Sequence, residues 1–470
     1  MGWSDVEWAG ADIWDERCRK TLSRASERLA DQSGVSLSSA LGSTRKAISG
    51  IFHSRKVTDK QLLSGHIEAT VTRCREYGEE HSPHFRPHPF VLIASDTTTA
   101  DFTTHKAVAD LGPVSNKKHQ RGFLAHSALA MTPTGVPLGV IYQNSWARDS
   151  EQTNIAKDRR KRLYPDKESY KWLEALRGVE AVLPPDIPAL LIQDREADIF
   201  EFFSAPRQSH IHLLIRATQP RRIEVSGLDS QAKTLLDAIA QAPVVAGKTV
   251  AVHGRPDREA RDAALTVRLM PMRIRAPLNG DDPKAPSVPV FVVRACEENP
   301  APGVKEPVSW VLLTTLPDVD ASLALQLIDY YALRWRIERF HFVLKSGCGY
   351  EKLQCDTLEA LQKALCLYSI VAWHLLWMTY LVREEPDAPA ERVISETEKK
   401  VLELSTGKEI HTARDAMMAV AKIAGFVSVP SAPLPGVKTL WIGWTKLQDM
   451  VTGFLIATQA LNPKHERHES

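Results

Sequence analysis

The chain has 470 residues, 43% of them hydrophobic and 25% charged, with a formal net charge of +2. That length exceeds one typical core, so two to four structural units are expected, and the apolar content excludes a disordered chain. The near-neutral total hides an uneven spread: residues 17 to 60 hold ten Lys or Arg against three acids, a local excess that suits a polyanion.

The six cysteines include no C-x-x-C pair, which argues against a zinc ribbon or a disulfide framework and fits a reducing compartment. The opening MGWSDVEWAGADIWDE is acidic where a signal peptide would be basic and then apolar, so no secretion route is expected and the chain reads as cytoplasmic.

Residues 12 to 75 read mainly as helices, with SGVSLSSALGSTRKAISGIF as a turn-rich lead into a basic helix. Such a segment resembles a small helical DNA-binding unit, and a plain basic helical bundle would read the same. The stretch HSPHFRPHP (81–89) carries three histidines, but its prolines favour an extended linker and no Cys or acid completes a zinc set.

From Pro89 the pattern turns to strands: FVLIAS, a hairpin partner around TADFTTH, then GFLAHSALAM and, after the turn-forming TPTG, GVPLGVIYQNSW. A helix is predicted over about 168 to 181. The unbroken apolar run IPALLIQ reads as a fully buried strand, DREADIFEFF opens a helix, and HIHLLIRA supplies another strand. Between 218 and 308 the pattern is β-rich with charged turns, as an insertion would be. VSWVLLTTLP then leads back to helices.

Residues 330 to 347, YYALRWRIERFHFVLKSG, contain no Pro or Gly until the end and read as one helix. At about 100° per residue, Leu333, Ile337, Phe340 and Leu344 form a core-facing stripe, and Tyr331, Arg334, Glu338 and Lys345 gather on the opposite side. Taken alone, that second stripe is an ordinary solvated face. The apolar run at 364 to 382 approaches membrane-spanning length, but Ser369, His374 and two tyrosines make a buried core helix the better expectation. After the PDAPAE linker, a terminal helical region presents Trp444, Leu447, Val451, Phe454 and Leu455 at helix spacing.

The order of these elements is that of an α/β, ribonuclease-H-like core with a β insertion, flanked by helical segments. Asp96 follows FVLIAS and Asp194 follows IPALLIQ. Each has a plain explanation, a turn-shaping Asp or a helix N-cap. With Glu338 they form a third possibility, three hard-oxygen donors suited to two Mg²⁺ ions and in-line phosphoryl transfer. A nucleotide site is not expected, because VVAGKT lacks the first Gly of a P-loop, with Ala242 in its place.

The chain also resembles a known family, the bacterial cut-and-paste DDE transposases of the insertion-sequence-four type. Tyr331, Arg334, Glu338 and Lys345 match its Y-x2-R-x3-E-x6-K signature, SDTTTADFTTH resembles the first-aspartate motif, and QDREADI the second. GWTKLQDMVTGFL (443–455) is similar to the closing pattern of the Tn-five branch. The resemblance implies Asp96, Asp194 and Glu338 as catalytic metal ligands for Mg²⁺, with Mn²⁺ able to substitute. It implies that Tyr331, Arg334 and Lys345 contact phosphates of the transposon end, that Arg216 lies near that end, and that Trp310 stacks a flipped base. The implied partners are double-stranded DNA, as inverted-repeat ends and target, and a second copy in a paired-end complex; no membrane is implied. The expected units are an end-recognition domain (1–75), a catalytic domain (76–384) with its insertion (218–308), and a C-terminal dimerisation domain (385–470). Two rivals share parts of this pattern, a non-catalytic regulator of transposition and a general ribonuclease-H-like nuclease.

Overall fold

The computed structural model describes residues 3–13, 15–31, 41–81, 90–115, 119–149, 162–224, 234–252, 254, 259–429 and 434–461. The expected linker at 81–89 lies almost wholly outside them, as does the first part of the turn-rich stretch before the basic helix. The fold is mixed α/β, built on one eleven-stranded sheet.

Five strands form its first half: β1 (Val91–Asp101), β3 (Arg121–Met131), β4 (Pro137–Trp146), β5 (Ala189–Gln193) and β6 (Ile211–Arg216). They lie side by side in the order β4-β3-β1-β5-β6, the first three antiparallel and the last two parallel to β1. This arrangement is consistent with a ribonuclease-H-like core. β5 is buried along its length and apolar up to its closing Gln193, as a strand covered on both faces must be. The period of two then divides its neighbours: Leu92, Ala94, Leu190 and Ile192 face one hydrophobic core, Val91, Ile93, Ala189 and Leu191 the other. Full burial of each such Leu or Ile contributes about 1.5–3 kcal/mol.

The β-rich segment does not stand apart from this sheet. β8 (Val244–Val252), β9 (Arg261–Ile274) and β10 (Val288–Cys296) join β11 (Ser309–Thr314), and β11 pairs antiparallel with β6. The added strands therefore continue the same sheet, and the two-residue strands β2 (Gly112–Pro113) on β3 and β7 (Ile223–Glu224) on β9 complete it.

Among the described residues four α-helices precede the sheet: α1 (Trp3–Ala9), α2 (Glu16–Asp31), α3 (Arg45–Phe52) and α4 (Asp59–His81). α4 lies against β4 so closely that a Cβ on Gly139 would meet the Thr70 hydroxyl at 1.8 Å. The apolar run becomes a 27-residue helix (Leu358–Glu384) buried on all sides within the protein, as expected for a core helix. α2, α3 and α4 pack on it, the Trp3 ring stacks on His374 at 3.7 Å, and buried Lys363 donates to the Ser54 carbonyl at 2.6 Å.

Two expectations differ from the structure. TADFTTH is not a separate hairpin partner; β1 runs on to Asp101 and pairs with β3 instead. Residues 330 to 347 are not one helix. After α5 (Lys171–Val182), α6 (Phe200–Ser204) and α7 (Leu235–Gln241), α8 (Ala321–Ala332) stops, Leu333 and Arg334 form a turn, α9 (Trp335–Phe342) restarts, and 343–347 form a π-helical turn. The core stripe survives the breaks, with Ile337, Phe340 and Leu344 buried. The C-terminal stripe is mostly covered within the chain: Leu447 is fully buried against the helices 396–406 and 413–423, while Leu455 remains exposed beside Ile456.

Candidate active site

Adjacent parallel strands bring the two aspartates together. The β1–β5 register ends at the pair Ala94 and Ile192, so Asp96 and Asp194 each stand two residues further on, at the same height and on the same face. That face is the one covered by α9, which packs across β1 and β3 and carries Glu338.

Between the paired residues and the acids lie Ser95 and Gln193, both buried, whose side chains hydrogen-bond at 3.1 Å whichever way the amide is oriented. This cross-strand bond fixes the spacing of the two strand ends. Replacing Gln193 with Leu leaves Ser95 without that partner and is expected to cost about 1–3 kcal/mol. Urea unfolding measures that cost, and an unchanged unfolding midpoint would show that the bond does not hold the two strand ends.

Asp194 also does the plain job predicted for it: its Oδ1 accepts from the Glu196 N–H at 2.7 Å and caps the turn 195–197. Asp96 accepts from the Thr97 N–H at 2.7 Å. Burial pushes Asp96 up to about 6 from its ordinary 3.8, and the nearby charges of Asp194 and Glu338 add to this against the pull of Thr97 N–H and Arg334. Burial likewise raises Asp194.

Arg334 supplies the local positive charge. Its side chain is buried; Nη2 donates to Glu338 Oε1 at 2.6 Å and Nη1 stands 3.9 Å from Asp96 Oδ2. Tyr331 is buried beside it, edge-on to Trp310 with ring centres 5.5 Å apart, and Arg216, whose Nη2 donates to the Ser309 carbonyl, acts on the same phenol. Asp96, Asp194, Glu338, Arg334, Tyr331, Trp310 and Arg216 thus share one neighbourhood.

Lys345 does not join them. The π-helical turn aims its ammonium at the Thr99 carbonyl (2.8 Å) and at Glu351 (3.1 Å), which in turn accepts from the Asp101 N–H. A straight helix would have set Lys345 above Glu338; the wider π turn moves it to the outer part of β1.

Residues that the motifs did not single out support the site from behind. Besides Ser95 and Gln193, buried His126 has Nδ1 2.9 Å from the Thr97 hydroxyl, and buried Lys171 pairs with Glu196. A polar Gln closing the apolar run ALLIQ was the available sequence signal for Gln193.

Among the described residues no three His, Cys, Asp or Glu side chains are gathered as a ready metal cage. The donor set nonetheless fits a divalent cation. Three carboxylates, hard oxygen ligands, act on one another closely enough to raise Asp96, and an added cation would relieve that repulsion. Asp96, Asp194 and Glu338 would hold it.

The raised Asp96 has a stability consequence. Below about pH 4 its carboxyl is protonated folded or unfolded; between about 4 and 6 only the unfolded chain has released the proton, so stability falls as pH rises, and above about 6 the whole cost is present. Asp96→Asn should therefore stabilise the metal-free protein by roughly 1–3 kcal/mol near neutral pH, an advantage that vanishes toward about pH 4. Thermal melts across pH check this.

Among solved structures, the chain is similar to the cryo-EM structure of the piggyBac transposase synaptic complex with hairpin DNA, at 9% sequence identity and a TM-score of 0.30. The likeness covers 82% of this chain and 59% of that one, so the chain spans well under two thirds of it. Residues 88–373, more than half of the chain and including all three carboxylates, match the family described as the transposase DDE domain. By that match the chain belongs to the transposase DDE-domain family.

Proposed function

We propose that the protein is a cut-and-paste DNA transposase of the insertion-sequence-four type, Tn-five branch, in which Asp96, Asp194 and Glu338 hold Mg²⁺, with Mn²⁺ able to replace it. The observation that carries this reading is the placement of Asp96 and Asp194 at matched heights on adjacent parallel strands, with Glu338 on the helix across them. Divalent cations held there would supply activation of the attacking oxygen and stabilisation of the leaving one.

The chain's own groups do the rest. Arg334 offers a planar fork suited to a backbone phosphate, and Tyr331, Trp310 and Arg216 form the adjoining wall, with the Trp310 ring available to a base displaced from the duplex. Water first cleaves one strand at the element's end, releasing a 3′-OH; that hydroxyl then displaces a second phosphodiester, on the opposite strand or in target DNA. Lys345 contributes by pinning the outer part of β1, and reaches DNA only by leaving Thr99 and Glu351.

End recognition falls to the N-terminal helices. Arg17, Lys20 and Arg24 form one exposed face of α2, and Arg45, Lys46, Arg55, Lys56 and Lys60 are exposed nearby. The units 1–75, 76–384 with 218–308, and 385–470 serve recognition, catalysis and pairing of two copies, the last through exposed Leu455 and Ile456 on the terminal helix. The enzyme works in the cytoplasm, on the nucleoid when bound to DNA.

The test is cleavage of a DNA fragment carrying the inverted repeats that flank the gene. Cutting confined to the repeat ends, requiring Mg²⁺ or Mn²⁺, is expected. Equal cutting of DNA lacking the repeats would favour a general nuclease, and binding without cutting a non-catalytic regulator. Arg45→Glu with Lys46→Glu should weaken end binding and flatten its salt dependence by about two phosphate contacts while leaving the fold intact.

A further inference from the structure

We propose that Arg334 is the resident counter-cation of the acidic site and must release Glu338 before a divalent cation is held there, so that metal loading waits for DNA. This deepens the metal-site reading above and rests on it. Two observations converge on it. The guanidinium is buried, in a direct 2.6 Å contact with Glu338 and 3.9 Å from Asp96, among acids whose charges act on one another. And Arg334 Nε is buried with no hydrogen-bond partner among the described residues, so the fork retains a donor that a phosphate oxygen can take.

Together these describe an exchange of partners. In the DNA-free protein Arg334 neutralises the site and turns Glu338 toward itself, and a metal ion must compete with a charge already in place. A backbone phosphate arriving with the transposon end draws the guanidinium onto itself and frees Glu338 to complete the cation's ligand set. Phosphate and metal then favour one another's binding, and linkage makes that preference reciprocal. The arrangement restricts cutting to DNA that is seated against Arg334.

Mn²⁺ binding to the DNA-free full-length protein, followed through the electron paramagnetic resonance signal of the free ion, tests this. Arg334→Gln, neutral and polar, should bind Mn²⁺ at least about tenfold more tightly than the unaltered protein, because a positive charge about 4 Å from a carboxylate is removed. Arg334→Lys, which keeps the charge, should stay within about threefold. Equal or weaker binding in Arg334→Gln, with an unaltered melting profile, overturns the proposal. Should that variant fail to fold, the unaltered protein serves: a duplex carrying the end, corrected for ions held by DNA alone, should tighten Mn²⁺ binding, and no change overturns the proposal equally. Combining Asp96→Asn with Arg334→Gln should abolish the tight Mn²⁺ site. Its persistence would overturn the metal-site reading itself, a result distinguishable from the failure of Arg334→Gln to gain affinity.

Discussion

Replacing Asp96, Asp194 or Glu338 by Ala should each lower metal-dependent end cleavage by at least about a thousandfold, while end binding changes little. The expected size follows from what the cations supply, stabilisation of both attacking and leaving oxygens, which no remaining side chain replaces. Binding is spared because the exposed cations of α2 and α3 lie on other elements. The three losses should not add in a triple variant, since the carboxylates act as one unit. Single-turnover cleavage of a labelled end, beside a gel-shift titration, separates the two effects. Cleavage at the normal rate in any one variant would remove that residue from the site.

The largest expected loss of stability lies elsewhere, where the N-terminal helices meet the sheet. Glu7 of α1 is buried and accepts from His66 Nδ1 at 2.5 Å and from Arg73 Nη1 at 2.7 Å, both on α4. His66 Nε2 in turn accepts from the Val140 N–H, and Arg73 donates to the Leu138 carbonyl, both on β4. The Val140 N–H thus turns the His66 ring so that Nδ1 faces Glu7. Burial alone would raise the Glu7 carboxyl, but His66 and Arg73 outweigh it and hold it at about 2. Glu7→Ala strands a buried His and the inner end of an Arg, and is expected to cost about 3–5 kcal/mol. Urea unfolding measures it, and a cost under about 1 kcal/mol would show that the network adds little. Because the folded value is depressed, the stabilisation from Glu7 is present above its ordinary 4.5 and is lost as pH falls toward about 2. The same network explains why deleting the first 75 residues is a poor test of end recognition: His66 and Arg73 would go with them, and β4 would lose its cover.

Much of the sheet was legible in local pattern. GFLAHSALAM, GVPLGVIYQNSW, IPALLIQ and HIHLLIRA all became strands because a buried strand shows itself as a short apolar run between turn residues. The positions of Asp96 and Asp194 beside β5 followed from the same runs. β1 was misread at its far end: TTTAD is polar enough to suggest a turn, yet pairing with the whole length of β3 keeps it extended. Tertiary pairing overrode local polarity there.

The helix carrying Glu338 shows the opposite limit. Its apolar stripe was readable and correct, but the break at Leu333 and Arg334 has no Gly or Pro to announce it. The break places Arg334 at the cap position of α9, where its fork reaches Glu338 one turn on. The π turn that diverts Lys345 is equally silent in the sequence, since the contacts that favour it, Thr99 and Glu351, are supplied by other parts of the chain. Gln193 and Ser95 were missed because a spacing of residues carries no information about which buried polar pair will meet across two strands.

The most direct measurement of the central claim is anomalous X-ray scattering from crystals of the DNA-bound protein soaked in Mn²⁺. Mn²⁺ peaks beside the carboxylates of Asp96, Asp194 and Glu338, with Glu338 released from Arg334, are the predicted result. Mn²⁺ bound only at other places, with Glu338 still held by Arg334 against seated DNA, would contradict it.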